Sequence, residues 1–358
     1  MSIVPLYGHE SLRERLRAAA ARGTLPSSVL LHGPRGIGKQ RLALWLGQVL
    51  VCTGPDPRPC GRCQHCRYTA ALVHPDLQWY FPRPRLKEAD ASAEGIRDDY
   101  REAIAERVER RGLYAPSEGT EAIFIATVRG LLQNAALSPA LATRKVFVIG
   151  DAERMVPQEG AEAAANAFLK LLEEPPADTT LILTSSEPGA LLPTIRSRVV
   201  AVRVAPLSES EMRAFLADPA VAEALAHSGA PTSVEDRIRL AQGAPGSLLG
   251  ASALRDALDQ AGRLLTAATR GDPAERLHLA FIQGSSRARG TFAQVLDALT
   301  VLLHQRVREA VARDDDGGAT AAARAIEAVE RSKALVAGNA NPQLVTSALM
   351  RDLAHISR

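Results

Sequence analysis

The sequence feature that most constrains the fold is a glycine-rich segment at residues 33–39, which reads GPRGIGK. It follows a short apolar run at 29–31, which predicts a strand, and precedes apolar residues at helical spacing from 42 to 50. Strand, glycine loop and helix form the setting in which a G-x-x-x-x-G-K segment binds phosphate. We therefore expect the backbone of Gly33, Gly36 and Gly38 to cradle phosphates while Lys39 meets the β and γ oxygens.

The residues that such a site needs for magnesium are missing. The motif requires Ser or Thr after the lysine, but this chain has Gln40. A second apolar run, at 146–149, leads into Gly150 and Asp151, so glycine stands where the metal-binding aspartate belongs and Asp151 stands where the activating acid belongs. Mg²⁺ is held by few protein ligands. The sequence therefore predicts a vestigial loop that holds ATP or ADP passively or not at all, with ATPase activity absent or weak.

The pattern of predicted elements divides the chain. Strands at 29–31, 146–149 and 181–184 alternate with helices up to about residue 205, which indicates an α/β fold with a doubly wound, mostly parallel sheet. A charged stretch at 84–118, with one helix predicted at 98–111, is interpreted as a surface insertion. From Pro206 onward only helical periodicity is present, including an apolar stripe from Phe292 to Val307 that must be buried against another element.

Composition excludes several classes of protein. The 358 residues include 43 basic and 40 acidic side chains, a net charge of +3 that is too small for a protein that grips DNA by phosphate contacts alone. We find no run of about 20 apolar residues and no signal-peptide pattern at the start, so we expect a cytoplasmic protein with no membrane partner.

The four cysteines are clustered. Cys52, Cys60, Cys63 and Cys66 follow a C-x₇-C-x₂-C-x₂-C spacing, and a cytoplasmic chain would keep them reduced. Four thiolates suit a closed, structural zinc site. Reduced thiols without metal, His65 in place of one sulfur, and a redox pair remain alternatives.

Two charged segments permit more than one interpretation. Glu173 and Glu174 precede two prolines that end a helix, which favours a solvated helix end over paired catalytic carboxylates. The segment 191–198, LLPTIRSR, places Arg196 and Arg198 around a serine. These arginines are either surface charges or include an arginine finger, a guanidinium offered to the phosphate of a neighbouring subunit.

The sequence resembles the delta prime family of bacterial DNA polymerase III clamp-loader subunits, which lies in the AAA+ superfamily. The resemblance covers about residues 1–250. It is carried by the degenerate GPRGIGK loop, the cysteine cluster with His74-Pro75-Asp76, Arg144-Lys145-Val146, Asp151-Ala152-Glu153-Arg154-Met155, the helix 166–174 with its two prolines, and Leu192-Pro193-Thr194-Ile195-Arg196-Ser197-Arg198. Asn339-Ala340-Asn341-Pro342 is a weaker match near the end of the chain.

The resemblance implies a RecA-like AAA+ domain at 1–205 with a zinc module at 52–66 and the insertion at 84–118, a helical lid at 206–250, and an all-α collar at 251–358. It also implies a stator in a hetero-pentamer with gamma/tau and delta subunits, which loads a sliding clamp onto primed DNA. As an accessory subunit of a nucleotidyltransferase complex, it would have no catalysis of its own. In this family Arg198 would serve as an arginine finger in trans, although valine replaces the cysteine that follows it in the family motif. The lid has Leu249 where active subunits carry a sensor arginine.

Two other functions remain open at this point. One is an active gamma/tau-type ATPase subunit, against which Gln40, Gly150 and Leu249 argue. The other is a free-standing zinc protein that reads DNA, but the segment after Cys66 carries a single positive charge and lacks a basic recognition helix.

Overall fold

The computed structural model describes residues 2–86, 92–114, 121–155, 162–282, 289–337 and 340–356. The chain forms two compact units that divide after Gly250, and the second consists essentially of Ala251–Arg358. The alternating pattern also predicts a helix at 160–173. Its first two residues, parts of the 84–118 insertion, and Asn339 lie outside the described residues. Among the helices described, none has the length and apolar character to cross a bilayer.

A five-stranded sheet forms the centre of the first unit, in the order β2-β3-β4-β1-β5 with every neighbouring pair parallel. The strands are β1 (Ser28–His32), β2 (Leu77–Tyr80), β3 (Lys145–Ile149), β4 (Thr179–Ser185) and β5 (Val200–Arg203). The predicted α/β fold with a parallel sheet is confirmed. The edge strands β2 and β5 were not predicted, because each has only four residues and no clear alternation.

The strands predicted from apolar runs are those covered on both faces. All residues of β3 and β4 are buried, as expected for central strands of a parallel sheet. The edge strand β5 is different, since three of its four residues are exposed. Runs of apolar residues therefore predicted the central strands of the sheet, but not the edge strands β2 and β5.

Among the described residues, seven α-helices accompany the sheet: α1 (Glu10–Ala21), α2 (Lys39–Val51), α3 (Gln64–Ala70), α4 (Ala93–Glu109), α5 (Ile125–Ala135), α6 (Glu162–Glu173) and α7 (Pro193–Arg196). Helix α2 packs on the sheet with Leu42 and Leu46 fully buried. The short helices α3 and α7 were not predicted.

The insertion does not simply lie on the surface, as the sequence had suggested. Helix α4 buries Ile96, Tyr100 and Ala103 in the same core as the sheet. These residues are four and three positions apart, so they form one apolar stripe within an otherwise charged segment. The hydroxyl of Tyr100 also donates to the carbonyl of Phe81 at 2.6 Å.

Residues 206–250 form a small helical subdomain within the first unit. It contains α8 (Glu209–Leu216), α9 (Pro219–Ala226), α10 (Val234–Ala241) and a 3₁₀ helix at Pro245–Gly250. Its core includes Met212, Phe215 and Leu248, together with Val4 and Leu113 from elsewhere in the first unit. Helix α9 is an addition to the predicted elements.

The second unit is entirely helical where it is described. Its helices are α11 (Ala251–Arg270), α12 (Pro273–Ile282), α13 (Arg289–Val311), α14 (Asp316–Ala337) and α15 (Pro342–Ile356). The apolar stripe predicted on α13 faces inward: Phe292, Val295, Leu296 and Leu299 are all buried. The helical bundle expected in this part of the chain is confirmed.

Candidate functional site

The glycine loop lies between β1 and α2, as the sequence predicted. Gly36 and Gly38 have φ angles of 80° and 92°, a region that side-chain-bearing residues rarely adopt. Gly38 is also the N-cap of α2. The loop therefore has the backbone form of a phosphate-binding loop at a helix N-terminus.

Lys39 is engaged by the chain itself. Its ammonium donates to the carbonyl oxygens of Gly33 and Pro34 at 2.9 and 2.8 Å and to the hydroxyl of Ser186 at 3.0 Å. The residue is 5% exposed, and a lysine ammonium has three N–H donors. Lys39 would have to exchange some of these bonds to contact a phosphate.

Gln40 occupies the region where magnesium ligands would be expected. Its Oε1 atom accepts hydrogen bonds from the indole of Trp79 at 3.0 Å and from the hydroxyl of Tyr114 at 3.4 Å. A Cβ atom added to Gly150 would lie 2.5 Å from Cδ of Gln40, so the two positions are adjacent in space. The chain thus supplies one neutral amide where an active site has a hydroxyl and a carboxylate.

Two carboxylates lie beyond Gly150, on the loop after β3. The backbone N–H of Asp151 donates to the hydroxyl of Thr184 at 3.1 Å, and Oε1 of Glu153 accepts from the N–H of Ser186 at 3.0 Å. Burial, and secondarily the charge of Asp151, raise the pKa of Glu153 to about 7. The sequence analysis names Glu153 only within a family motif and assigns it no role, because its closeness to Ser186 depends on the pairing of β3 with β4.

The insertion contributes Arg107 and Tyr114 to this region, where they lie against Trp79 and Phe81 at the sheet edge. The guanidinium of Arg107 lies 3.2 Å from the ring centroid of Phe81, 4.1 Å from that of Tyr114 and 4.2 Å from that of Trp79. Such cation–π contacts are strongest when water is excluded. Through Tyr114, which donates to Gln40, the insertion contributes directly to the surroundings of Gln40.

The helical subdomain is attached to the same loop. The N–H of Gly246 donates to the carbonyl of Gly36 at 2.8 Å, and the N–H of His9 donates to Oε1 of Glu211 at 2.9 Å. The His9 ring forms a further hydrogen bond, 2.9 Å long, to the carbonyl of Ile37. Residues 206–250 and the glycine loop are therefore directly connected by hydrogen bonds.

The four cysteines converge on one point. The sulfur atoms of Cys52, Cys60, Cys63 and Cys66 all lie within 4.8 Å of one another, with Cys52 to Cys63 at 3.9 Å and Cys60 to Cys66 at 4.0 Å. Tetrahedral zinc with Zn–S bonds of about 2.3 Å separates its sulfurs by about 3.8 Å. The cluster therefore has the ligand set and spacing to hold a metal ion.

Backbone donors support the sulfur cluster. N–H groups of Gly54 and Cys60 point at the sulfur of Cys52, and those of Cys63 and Cys66 point at the sulfurs of Cys60 and Cys63, each at 3.4 Å. Such N–H···S contacts stabilise thiolates. The ring of His65 lies instead against His74, with Nδ1 and Nε2 2.8 Å apart, so the four sulfurs are the natural ligands.

His74 and Asp76 form hydrogen bonds that hold a loop at the edge of the sheet. Its Nδ1 accepts from the N–H of Asp76 at 3.0 Å. The carboxylate of Asp76 in turn accepts from three successive N–H groups, those of residues 140–142, at 2.6–2.7 Å. These bonds lower the pKa of Asp76 although burial acts in the opposite direction. The His74-Pro75-Asp76 motif therefore fixes the loop that leads into β3.

Arg198 is bound to Glu173, which joins the two charged segments that the sequence left unconnected. Its Nη2 lies 2.6 Å from Oε1 of Glu173, while Nη1 donates to the carbonyl of Thr194 at 2.9 Å and the hydroxyl of Ser197 at 3.2 Å. The side chains of Arg198 and Glu173 are 33% and 47% exposed. Glu173 is thus an ion-pair partner, not merely a solvated helix end.

Comparison with known proteins identifies relatives of the chain. A family model described as DNA polymerase III, delta subunit, matches residues 8–208. The DNA polymerase III subunit delta' of Pseudomonas aeruginosa is 36% identical over 172 residues, which is 48% of this chain and 40% of that protein. The delta' subunit of Escherichia coli is 28% identical over 237 residues, 66% of this chain and 57% of that protein.

Gamma-type proteins are also similar. The gamma/tau subunit of Mycobacterium tuberculosis is 30% identical over 217 residues, 60% of this chain but 31% of that protein. The crystal structure of a gamma subunit-related protein from Thermotoga maritima aligns over 98% of this chain and 99% of that one, with 17% identity and a TM-score of 0.40. Because the family model covers more than half of its length, the chain belongs to the DNA polymerase III, delta subunit family, and its relatives include the delta' subunits.

Proposed function

We propose that this chain is the delta prime subunit, or stator, of a DNA polymerase III clamp-loader complex. It would assemble with gamma/tau and delta subunits into a hetero-pentamer and support the ATP-dependent loading of a sliding clamp onto primed DNA in the cytoplasm. The family match across residues 8–208 supports this function, together with relatives named delta'.

The observation that favours a stator over a motor is the contact between Gln40 and position 150. Phosphoryl transfer depends on a metal ion that neutralises charge on the phosphates. Mg²⁺ binds through carboxylate and hydroxyl oxygens in near-octahedral geometry. Here a neutral amide fills the space that a side chain at Gly150 would need. We therefore propose that the nucleotide site is silent, with Gly33, Gly36, Gly38 and Lys39 retained as a vestigial phosphate loop.

Arg198 would act in the site of a neighbouring ATPase subunit. It lies two residues beyond the end of α7, and its side chain is 33% exposed. An arginine finger increases hydrolysis by about 10³–10⁵ where it has been measured, because it stabilises transition-state charge. A guanidinium that is held by hydrogen bonds and still partly exposed is compatible with this role.

The test is Arg198→Ala in a loader reconstituted from all its subunits. We expect a marked loss of the ATPase activity stimulated by clamp and primed DNA, while the complex still assembles. Arg196→Ala is the matched control, because Arg196 is an exposed arginine at the end of α7, two residues before Arg198. Turnover that stays unchanged in Arg198→Ala would contradict the role in trans.

The cysteine cluster is proposed to hold one structural zinc ion. Four sulfur ligands complete a tetrahedral site and leave no position for a reacting water. The ion would fix the loop between α2 and α3, where Cys63 already caps α3 by accepting from the N–H of Cys66.

An active gamma/tau-type ATPase is the second candidate, because gamma/tau relatives match more than half of the chain. Three residues argue against it: Gln40, Gly150, and Leu249, which stands where active subunits carry a sensor arginine. Brisk, magnesium-dependent ATP hydrolysis by the isolated chain would favour this candidate. No measurable turnover would favour the stator.

A further inference from the structure

The ion pair between Arg198 and Glu173 connects two elements that are separate in sequence. Glu173 is the last residue of α6, and Arg198 lies two residues beyond the end of α7. The closest atoms, Nη2 and Oε1, are 2.6 Å apart. We propose that Glu173 is a positioning residue for the arginine finger: it holds the Arg198 guanidinium in an orientation ready for a neighbour's phosphate. This inference rests on the proposed function of Arg198.

The hydrogen-bond count of Arg198 supports this role. A guanidinium has five N–H donors. Two from Nη1 go to Thr194 and Ser197, and one from Nη2 goes to Glu173. The Nε–H and the second Nη2–H have no partner among the described residues. The chain therefore fixes the plane of the guanidinium and leaves two donors for an oxyanion.

The position of Glu173 is unfavourable for the helix that carries it. A carboxylate in the last turn of a helix faces the negative end of the helix dipole. Pro175 and Pro176 follow closely and prevent the helix from continuing, so Glu173 is held at this end. The guanidinium of Arg198, which does not belong to α6, compensates the negative charge of Glu173. The carbonyl of Thr194, in α7, adds a second acceptor for the same guanidinium.

The pair is better suited to orientation than to stability. Exposed ion pairs contribute little to the free energy of folding. An arginine side chain, however, loses considerable rotamer freedom when it binds a phosphate, and ordering it beforehand reduces that loss. Glu173 thus limits the conformations of Arg198 without burying it. The effect should appear in the chemical step of the neighbour's ATP hydrolysis.

The experiment compares variants of this chain in the reconstituted loader, with primed DNA and clamp present. We expect Glu173→Ala to lower kcat for ATP about three- to tenfold, the range expected when one long side chain has to be ordered again. Glu173→Gln should restore most of the rate, because the amide oxygen still accepts a hydrogen bond. KM for ATP and the melting temperature should change little. Glu174→Ala is the matched control, since Glu174 is the exposed neighbour of Glu173.

A double variant separates positioning from other effects. In an Arg198→Ala background, Glu173→Ala should cause no further loss, because the group that it orients is absent. If Arg198→Ala lowers kcat but Glu173→Ala leaves it unchanged or raises it, Glu173 does not position the finger and the inference is overturned. If Arg198→Ala itself has no effect, the proposed role in trans is wrong and the inference falls with it.

Discussion

The side chain of Gln40 lies directly against Gly150, the residue that follows strand β3. A Cβ at position 150 would lie 2.5 Å from the amide carbon of Gln40 and 2.8 Å from its nitrogen, closer than real Cβ contacts. In the proposed vestigial phosphate site, the two departures from the active motif are therefore in direct contact. A larger residue at position 40 and a missing side chain at position 150 fit each other.

The first prediction concerns this coupling. We expect Gly150→Asp to destabilise the chain by about 1–3 kcal/mol, the usual range for overpacking a buried position. Gln40→Thr should relieve much of that cost in the double variant, because it removes the amide. Urea denaturation of the parent chain, both single variants and the double variant measures the coupling energy. Strictly additive effects would show that the two positions do not compete for the same space.

The second prediction concerns pH and Glu153. Its pKa is raised from 4.5 to about 7 in the folded chain, mainly by burial and next by Asp151. Between pH 4.5 and about pH 7, Glu153 binds a proton in the folded state that it has already released in the unfolded state. The contribution of Glu153 to the free energy of unfolding therefore decreases as the pH rises through this range. We expect Glu153→Gln to be more stable than the parent above pH 7, by on the order of 1–3 kcal/mol. The difference should disappear toward pH 4.5.

Denaturation of both proteins at pH 5 and pH 8 tests this dependence. Glu14→Gln, on the exposed side of α1, is the control and should show no such change between the two values. The explanation by burial fails if Glu153→Gln has the same effect at both pH values.

The third prediction concerns the attachment of the helical subdomain. Glu211 accepts from the N–H of His9 and also completes the capping box of α8 with Ser208. We expect Glu211→Ala to lower the local stability of α8 by roughly 1–3 kcal/mol, because charge-assisted hydrogen bonds are lost. Hydrogen exchange of the amides of Glu209–Leu216 should become faster.

Glu209→Ala is the appropriate comparison for this experiment. Glu209 pairs with Arg213 on the same helix and is exposed. It should affect exchange in α8 far less than Glu211→Ala. Equal effects of the two variants would mean that the bond to His9 does not hold the subdomain.

The fourth prediction concerns metal. Elemental analysis of the purified chain should give about one zinc per chain. Cys63→Ser should remove the metal and lower the melting temperature, because this sulfur also caps α3. His65→Ala should keep the metal, since its ring lies against His74. A folded chain that contains no metal would contradict the proposed zinc site.

The fold could be predicted where apolar residues are continuous in sequence. The loop at 33–39 between β1 and α2, the buried strands β3 and β4, and the helices of the second unit all carry strong local patterns. Strands β2 and β5 do not, because a four-residue edge strand is defined by its partner. Leu77, for example, pairs with Val146, a residue distant in sequence.

The sequence by itself determined which chemical groups are present: the glycine loop, the amide at Gln40, the four thiols and the arginine at position 198. Only the tertiary structure decided which of them meet. It placed Gln40 against Gly150 and Trp79, Glu173 against Arg198, and the aromatic residues around Arg107. The physical reason is that these contacts join residues far apart in the chain, and their distances depend on how the helices pack on the sheet.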